Sequence, residues 1–463
     1  MARLNVARKE VCTHEGGKAK HINPELQLRR SVMACLLWEK QFYEDGQDIA
    51  SRIIGLVPEV KPQKVAEIAV EARNYMRLRH APLLIAREMV RYKEHKGFVS
   101  DVLFNIIQRP DELTEFLAMY WMNGKQSISA QVKKGLARAF TKFDEYQLAK
   151  YNRDNAIKLR DVLFLCHAKP KDQDQADMWK RLVDGNLKTP DTWEVALSSG
   201  GDKKTHWERL LKENRLGAFA LLRNLRNMDT ANVDSGLITD ALQNIKATKI
   251  LPFRFIAAAR HAPQFEPDLE VGMLKCLGVQ EPFEGHTVLL VDVSGSMDYK
   301  VSGRSEITRL DAACGVAMLL REVCPKIDIY SFSMQLVRIP ARRGFALRDA
   351  IVTSQQHSGT PLGIAVQSMY ADKNKRFQSA RFGWHGSRGI NYVGQGLRPD
   401  RLIVITDEQS ADGVPDPIGK GYMINVASNK NGVGYGAWSH IDGWSEAVVG
   451  YIKTFEPFCP NLH

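Results

Sequence analysis

Two periodicities of apolar residues divide this chain near residue 282. Up to that point apolar positions return every three or four residues, the spacing that lines one face of a helix. The clearest stretches are Gln27 to Tyr43, Gln63 to Leu78, Ala81 to Lys93, Val99 to Gln108, Leu113 to Met122, Ala130 to Lys142, Glu145 to Asn152, Thr205 to Glu213, Arg215 to Arg226 and Pro252 to Ala262. Pro62, Pro82, Pro110 and Pro190 stand at or near the starts of such runs, where a helix tolerates proline. Strand alternation is almost absent. Short links between helices favour antiparallel pairs, and stacked pairs make an α-solenoid of the armadillo and HEAT kind. No repeat consensus emerges, so a compact helical bundle fits the pattern too.

After residue 282 the pattern changes. Thr287 to Val291 is a short unbroken apolar run, as in a strand buried on both faces. A helical stretch from Asp311 to Val323, a run from Ile327 to Phe332, a helix after Thr360 (Ile364 to Met369) and runs from Leu402 to Thr406 and Tyr422 to Ala427 follow. Strands alternating with helices predict a doubly wound parallel sheet. The expected fold class is therefore α plus α/β: HEAT-like helical repeats over residues 1–282, then a doubly wound parallel-sheet domain over 283–463.

That sheet carries candidate chemistry. The Thr287 run ends in Asp292-Val293-Ser294-Gly295-Ser296, one carboxylate and two hydroxyls at alternate positions. Such hard oxygen donors suit Mg²⁺ or Mn²⁺, which retain several waters rather than a full protein cage. Ser358-Gly359-Thr360-Pro361 offers a third hydroxyl from Thr360, and the Leu402 run ends in Asp407. Ligands of an open parallel sheet gather at the carboxyl ends of its strands, where these three loops would meet. The same Ser and Thr side chains would also serve as plain helix caps.

Charge adds a second theme. The chain has 463 residues and a net charge of +11. Residues 1–282 hold 45 Lys and Arg against 36 Asp and Glu, whereas 283–463 hold 19 against 17. The excess sits in the helical part, which points to an acidic partner, with nucleic acid the natural candidate; a basic surface that serves solubility is the alternative. Lys134, Arg138 and Lys142 recur every four residues, as do Arg73 with Arg77 and Arg87 with Arg91. Each set forms a stripe along its helix. Few acidic residues share the face of the Lys134 stripe, which suits it to phosphate. Lys158, Arg160, His167 and Lys169 form a further basic cluster around Phe164.

Other classes recede. The histidines His14, His21, His80, His95, His167, His206 and His261 adjoin no nucleophile or orienting group, and there is no P-loop or dinucleotide fingerprint. A metal-dependent nuclease would need a second metal or a base that the motifs do not offer. No run is long enough to cross a bilayer, and the first residues lack an apolar signal core. A cytoplasmic, noncatalytic protein without a membrane partner is expected. Its seven cysteines have no Cys-x-x-Cys spacing and read as reduced thiols.

The order of motifs after residue 282 resembles the von Willebrand factor type A domain with its metal-ion-dependent adhesion site. By that resemblance Ser294, Ser296 and Thr360 touch the metal directly, while Asp292 and Asp407 act directly or through water. The family often has Gly after the second Asp; Glu408 stands there in this chain and adds negative charge. The run from Arg160 through His167, Lys169 and Pro170 resembles the signature of the Ro ribonucleoprotein, or TROVE, family, of the bacterial Ro type. Leu216 to Met228 and Ile250 to Phe255 are similar to two further family motifs.

This resemblance implies a helical ring closed by the type A domain, with a monomer as the working unit. It implies small noncoding Y-type RNA on the basic outer surface at Arg160, His167 and Lys169, and single-stranded ends of misfolded or precursor RNA in the central hole. RNA quality control or processing is the expected role. Phe164 falls where family members can have a cation, so one phosphate contact is missing or moved. Arg223 and Arg226 have a plain structural reading as the outside of an apolar helix. A metal-dependent scaffold that grips an acidic partner, such as a ribonuclease, through the type A domain is the competing function. Two Gly-rich segments, 377–398 and 432–443, read as surface loops; the first, with Trp384, could stack on RNA.

Overall fold

The computed structural model describes residues 11–12, 18–21, 23–33, 46–198, 200–245, 250, 252–277, 282–303, 305–379, 390–427, 433–434, 436–443, 448–449 and 452. By compactness the chain forms two units. One contains Pro24–Leu37 and Gln47–Leu216; the other contains Met1–Asn23, Trp38–Gly46 and Gly217–His463.

The first unit is helical. Pro62–Asn74 packs on Val99–Ile106, which packs on Ala130–Phe140, which packs in turn on Leu159–Cys166. His80–Met89 packs on Pro110–Tyr120, and Pro110–Tyr120 on Leu159–Cys166. All but the last of these contacts join a helix to the next but one along the chain. Leu83, Leu103, Phe116, Leu136 and Val162 are among the side chains that fill the space between them. Pro62 and Pro110 begin their helices as expected. Gly135 is needed for the stacking, because a Cβ there would lie 2.9 Å from Leu103 Cβ.

Several helices lie outside the stretches singled out from the sequence: Gln173–Asp184, Trp193–Ser198, Ser235–Gln243 and Glu266–Leu277. Gln173–Asp184 buries few of its residues, chiefly Trp179 and Leu182 among the apolar ones. Its start is fixed instead by the Asp172 carboxylate, which accepts from Gln175 N, and its end by Gly185 in the left-handed region.

The second unit is built on a six-stranded sheet in the order Ser439–Asp442, Lys420–Asn425, Arg401–Thr406, His286–Asp292, Lys326–Phe332, Leu336–Arg338. The first five strands are parallel and the last is antiparallel. Val288, Leu290, Leu402 and Val404 pack against Leu362, Ala365, Val366 and Met369 of the Leu362–Tyr370 helix. Leu289, Val291, Ile403 and Ile405, pointing to the opposite face by strand alternation, are equally buried. The 432–443 segment is more than a loop. It contains the edge strand Ser439–Asp442, and Trp438 is buried with its indole N–H donating to Pro415 O at 2.8 Å. The ends of the 377–398 segment form an antiparallel hairpin, Arg376–Ser379 with Ile390–Val393. Trp384 lies outside the described residues.

The expected boundary at 282 differs from the compact division. Residues 217–277 belong with the sheet because the Pro252–His261 helix packs closely on Arg309–Val323. At Gly315 a Cβ would come within 3.1 Å of Phe253 N. Arg260 pairs with Asp311, and Phe345 N donates to Glu270 Oε1 at 2.8 Å. Near the N-terminus, where strands were not expected, Val11–Cys12 pairs with Lys18–His21, which pairs with Val433–Gly434.

Candidate cation site and nucleic-acid interface

The central strands His286–Asp292 and Arg401–Thr406 are neighbours, so their carboxyl ends deliver Asp292 and Asp407 side by side. Both carboxylates are fully buried. Asp292 accepts from Ser294 N at 2.8 Å and from Thr406 Oγ1 at 2.6 Å. Burial, with the charge of Asp407 behind it, pushes its pKa up to about 7 despite these hydrogen bonds. Ser294 Oγ and Ser296 Oγ are 3.2 Å apart. Gly295 N donates to Ser358 O at 2.8 Å, which brings the Thr360 loop against the Asp292 loop, and Thr360 is buried there.

This donor set fits a small divalent cation. Adjacent oxygens around an octahedral Mg²⁺ lie about 3 Å apart when each is ~2.1 Å from the metal, close to the spacing of the two serine hydroxyls. A buried carboxyl beside a second one also gains from a nearby dication. Among the described residues no three His, Cys, Asp or Glu side chains cluster as a metal site, so a cation here depends on the hydroxyls.

Two further residues enter the site that sequence reasoning missed. Arg309, 2 % exposed, donates through Nη1 to Asp407 Oδ2 at 3.1 Å and to Ser296 O at 3.2 Å. A guanidinium thus balances the second carboxylate from inside. His440 Nδ1 lies 2.6 Å from Glu408 Oε1, with both side chains buried. Glu408 has φ 59, a left-handed conformation that favours glycine. The acidic residue expected to add charge beside the site is therefore engaged by His440.

The basic features of the helical unit separate into two groups. Lys134 is exposed, whereas Arg138 donates to Asp101 Oδ1 at 2.5 Å and lies over the Phe104 ring. Lys142 Nζ donates to Phe104 O and Ile107 O, and burial of the ammonium lowers its pKa to about 8. The stripe expected to meet phosphate is thus largely tied to the neighbouring Val99–Ile106 helix. The partners lie about forty residues away in sequence, beyond any spacing rule along one helix. Arg73 and Arg87 are likewise buried and paired, with Glu112 at 2.7 Å and Glu88 at 2.6 Å.

The second group stays open. In the Leu159–Cys166 helix, Arg160 and Phe164 are one turn apart and both exposed, Phe164 by 61 %. His167 ends the helix in the left-handed region, φ 53, and is exposed, as is Lys169. Arg160, His167 and Lys169 make no ion pair with the described residues. Lys158 differs: it pairs with Asp154 at 2.5 Å, and its backbone N–H is capped by Asp161. Beside Phe164 runs a groove of about 530 Å³ that also holds Trp121 and Lys125. Lys125 Nζ stands 5.4 Å from the Trp121 ring centroid. Trp121 and Lys125 carried no sequence signal because the approach to Phe164 is tertiary.

A helical part joined in sequence to a mostly parallel sheet with an oxygen-lined edge defines an α plus α/β protein. Comparison with known proteins narrows this. Residues 181–273 match the TROVE domain. The chain is 31% identical over 110 residues to "Telomerase protein component 1" of Mus musculus and 30% identical over 110 residues to that of Rattus norvegicus. Each match covers 22% of this chain and 4% of the relative, so the chain spans a small part of their length. Its fold is similar to the crystal structure of Deinococcus radiodurans RO (RSR) protein, with a TM-score of 0.59 and 19% identity over 93% of this chain and 99% of that one.

Proposed function

We propose that this protein is a noncatalytic RNA-binding component of a ribonucleoprotein. Its interface for small, structured noncoding RNA of the Y type is the exposed Arg160, Phe164, His167 and Lys169 face. The observation that carries the reading is that Arg160 and Lys169 make no ion pair with the described residues and stand near the exposed Phe164, in a chain whose residues 181–273 match the TROVE domain. Unpaired guanidinium and ammonium groups suit phosphate, and Phe164 with Trp121 offers ring faces to unstacked bases. Lys134 adds a further open cation, while Arg138, Lys142 and Lys158 contribute through their helices.

In the same reading the helical pairs form a HEAT-like ring closed by a type A domain, and single-stranded ends of misfolded or precursor RNA enter its hole. Asp292, Ser294, Ser296, Thr360 and Asp407 hold Mg²⁺ or Mn²⁺, whose open position would take an acidic group of a partner such as a ribonuclease. The test is binding of a labelled stem–loop RNA to Arg160→Ala/Lys169→Ala across a salt series. Affinity should fall at least tenfold and the dependence on salt should flatten by roughly two phosphate contacts. Unchanged affinity and slope would sink the placement.

A further inference from the structure

The Leu362–Tyr370 helix starts beside the cation site without a cap of its own. Its N-cap residue is Pro361, whose side chain has no acceptor for the first backbone N–H groups. The acceptor comes instead from Asp412, 49 residues beyond Gly363. Asp412 Oδ1 accepts from Gly363 N and Oδ2 from Ile364 N, both at 2.8 Å. Ser410 Oγ donates to Oδ1 at 2.7 Å and so orients the carboxylate. A carboxylate gains at this place from charge-assisted hydrogen bonds and from the positive end of the helix dipole.

The two segments are pressed together. A Cβ at Gly363 would lie 2.1 Å from Gly413 O, and Ala411 N donates to Thr360 O at 3.2 Å. The opposite side of the Thr360 loop is fastened as well. Ser333, which follows the Lys326–Phe332 strand, accepts from Ser358 N at 2.9 Å and donates to Gly359 O at 3.3 Å. Ser358 O receives Gly295 N from the Asp292 loop. The contacts of residues 410–413 therefore join Thr360 to the loop that carries Asp407, and Asp412 supplies the strongest of them.

We infer that Asp412 is a positioning residue of the cation site: by clamping residues 410–413 onto the start of the Leu362–Tyr370 helix, it fixes Thr360 relative to Asp407 and so favours the smaller cation. The inference rests on the reading of this edge as a cation site. Asp412 stands outside the donor set and acts through the backbone. Mg²⁺ demands near-ideal octahedral geometry with oxygens at about 2.1 Å, whereas Ca²⁺ accepts irregular sets at about 2.3–2.6 Å. A loosened loop thus penalises Mg²⁺ more than Ca²⁺.

The test is calorimetric titration of Mg²⁺ and of Ca²⁺ into cation-free full-length protein, with thermal melts in EDTA. Asp412→Ala should weaken Mg²⁺ about tenfold or more and Ca²⁺ by no more than about threefold. Asp412→Asn removes the charge but keeps an acceptor for Gly363 N, so it should hold the ratio of the two affinities within about threefold of the parent's. Ser410→Ala keeps the carboxylate but removes its orienting hydrogen bond; it should shift the ratio in the same direction by a smaller factor, and it carries the test if Asp412→Ala does not fold. Equal losses for both cations in the Ala and Asn variants overturn the inference, since Asp412 would then act by charge alone. An unchanged ratio in Asp412→Ala and Ser410→Ala overturns it too, while leaving the cation site in place. If the parent protein binds neither cation, the site itself fails and the inference falls with it.

Discussion

Replacing Arg309 with methionine separates two roles of one buried charge. In the cation-free protein its guanidinium is the internal partner of Asp407, with side chains 2 % and 0 % exposed. Removing one member of such a pair leaves a buried carboxylate unbalanced and costs about 3–5 kcal/mol. For a unit of this size that lowers the melting temperature by roughly 10 °C. Divalent cations should respond in the opposite direction. Charges of +1 and +2 repel by ~5 kcal/mol at ~6 Å and an effective dielectric of about 20. Relief of even a third of that tightens Mn²⁺ binding about tenfold.

Calorimetric titration of Mn²⁺, with thermal melts in EDTA and in excess Mn²⁺, reads both effects. The Arg309→Met/Asp407→Asn double variant should recover most of the cation-free stability, because it removes both charges. Equal Mn²⁺ affinity and equal cation-free melting for Arg309→Met and the parent protein would refute the reasoning.

Three other outcomes follow from the structure. His440→Ala should lower stability by about 3 kcal/mol in urea unfolding, since it removes the His440 ring from the buried Glu408 carboxylate; a loss below 1 kcal/mol would mean that this contact contributes little. Gly315→Val should cost about 2–3 kcal/mol by overpacking against Phe253, read as a lower melting temperature, whereas an unchanged melt would contradict the close helix contact. In EDTA, Asp292 has a native pKa of about 7 against an ordinary value near 3.8. The native state therefore holds its proton more tightly, so this group's contribution is full below pH 4 and is lost as pH rises through 7. Asp292→Asn should flatten that part of the pH–stability curve, and an identical curve would count against the buried charge.

The legible parts of this chain are those whose signal is local. Thr287 to Val291 and Leu402 to Thr406 read as buried strands because every position is apolar or small, and both lie in the centre of the sheet. The placement of Asp292 and Asp407 followed, since they sit at the ends of those strands. Arg309 was invisible as a site residue because a cation in the first turn of a helix ordinarily reads as surface. The partners of Arg138 and Lys142 were hidden for the converse reason: the Asp101 carboxylate and the Phe104 and Ile107 carbonyls that hold them belong to another helix and its C-cap. His440 and Glu408 are 32 residues apart and meet only through the sheet.

The pairing of Lys20 with Gly434 sets a timetable for synthesis. The Lys18–His21 strand, paired locally with Val11–Cys12, lacks this second partner until more than four hundred further residues have been added, which takes roughly 20–80 s at about 5–20 residues per second. The helical unit, encoded between them, is complete by Leu216 and can pack its pairs during that wait. The sheet-bearing unit is completed after the helical one, although part of it is made before it.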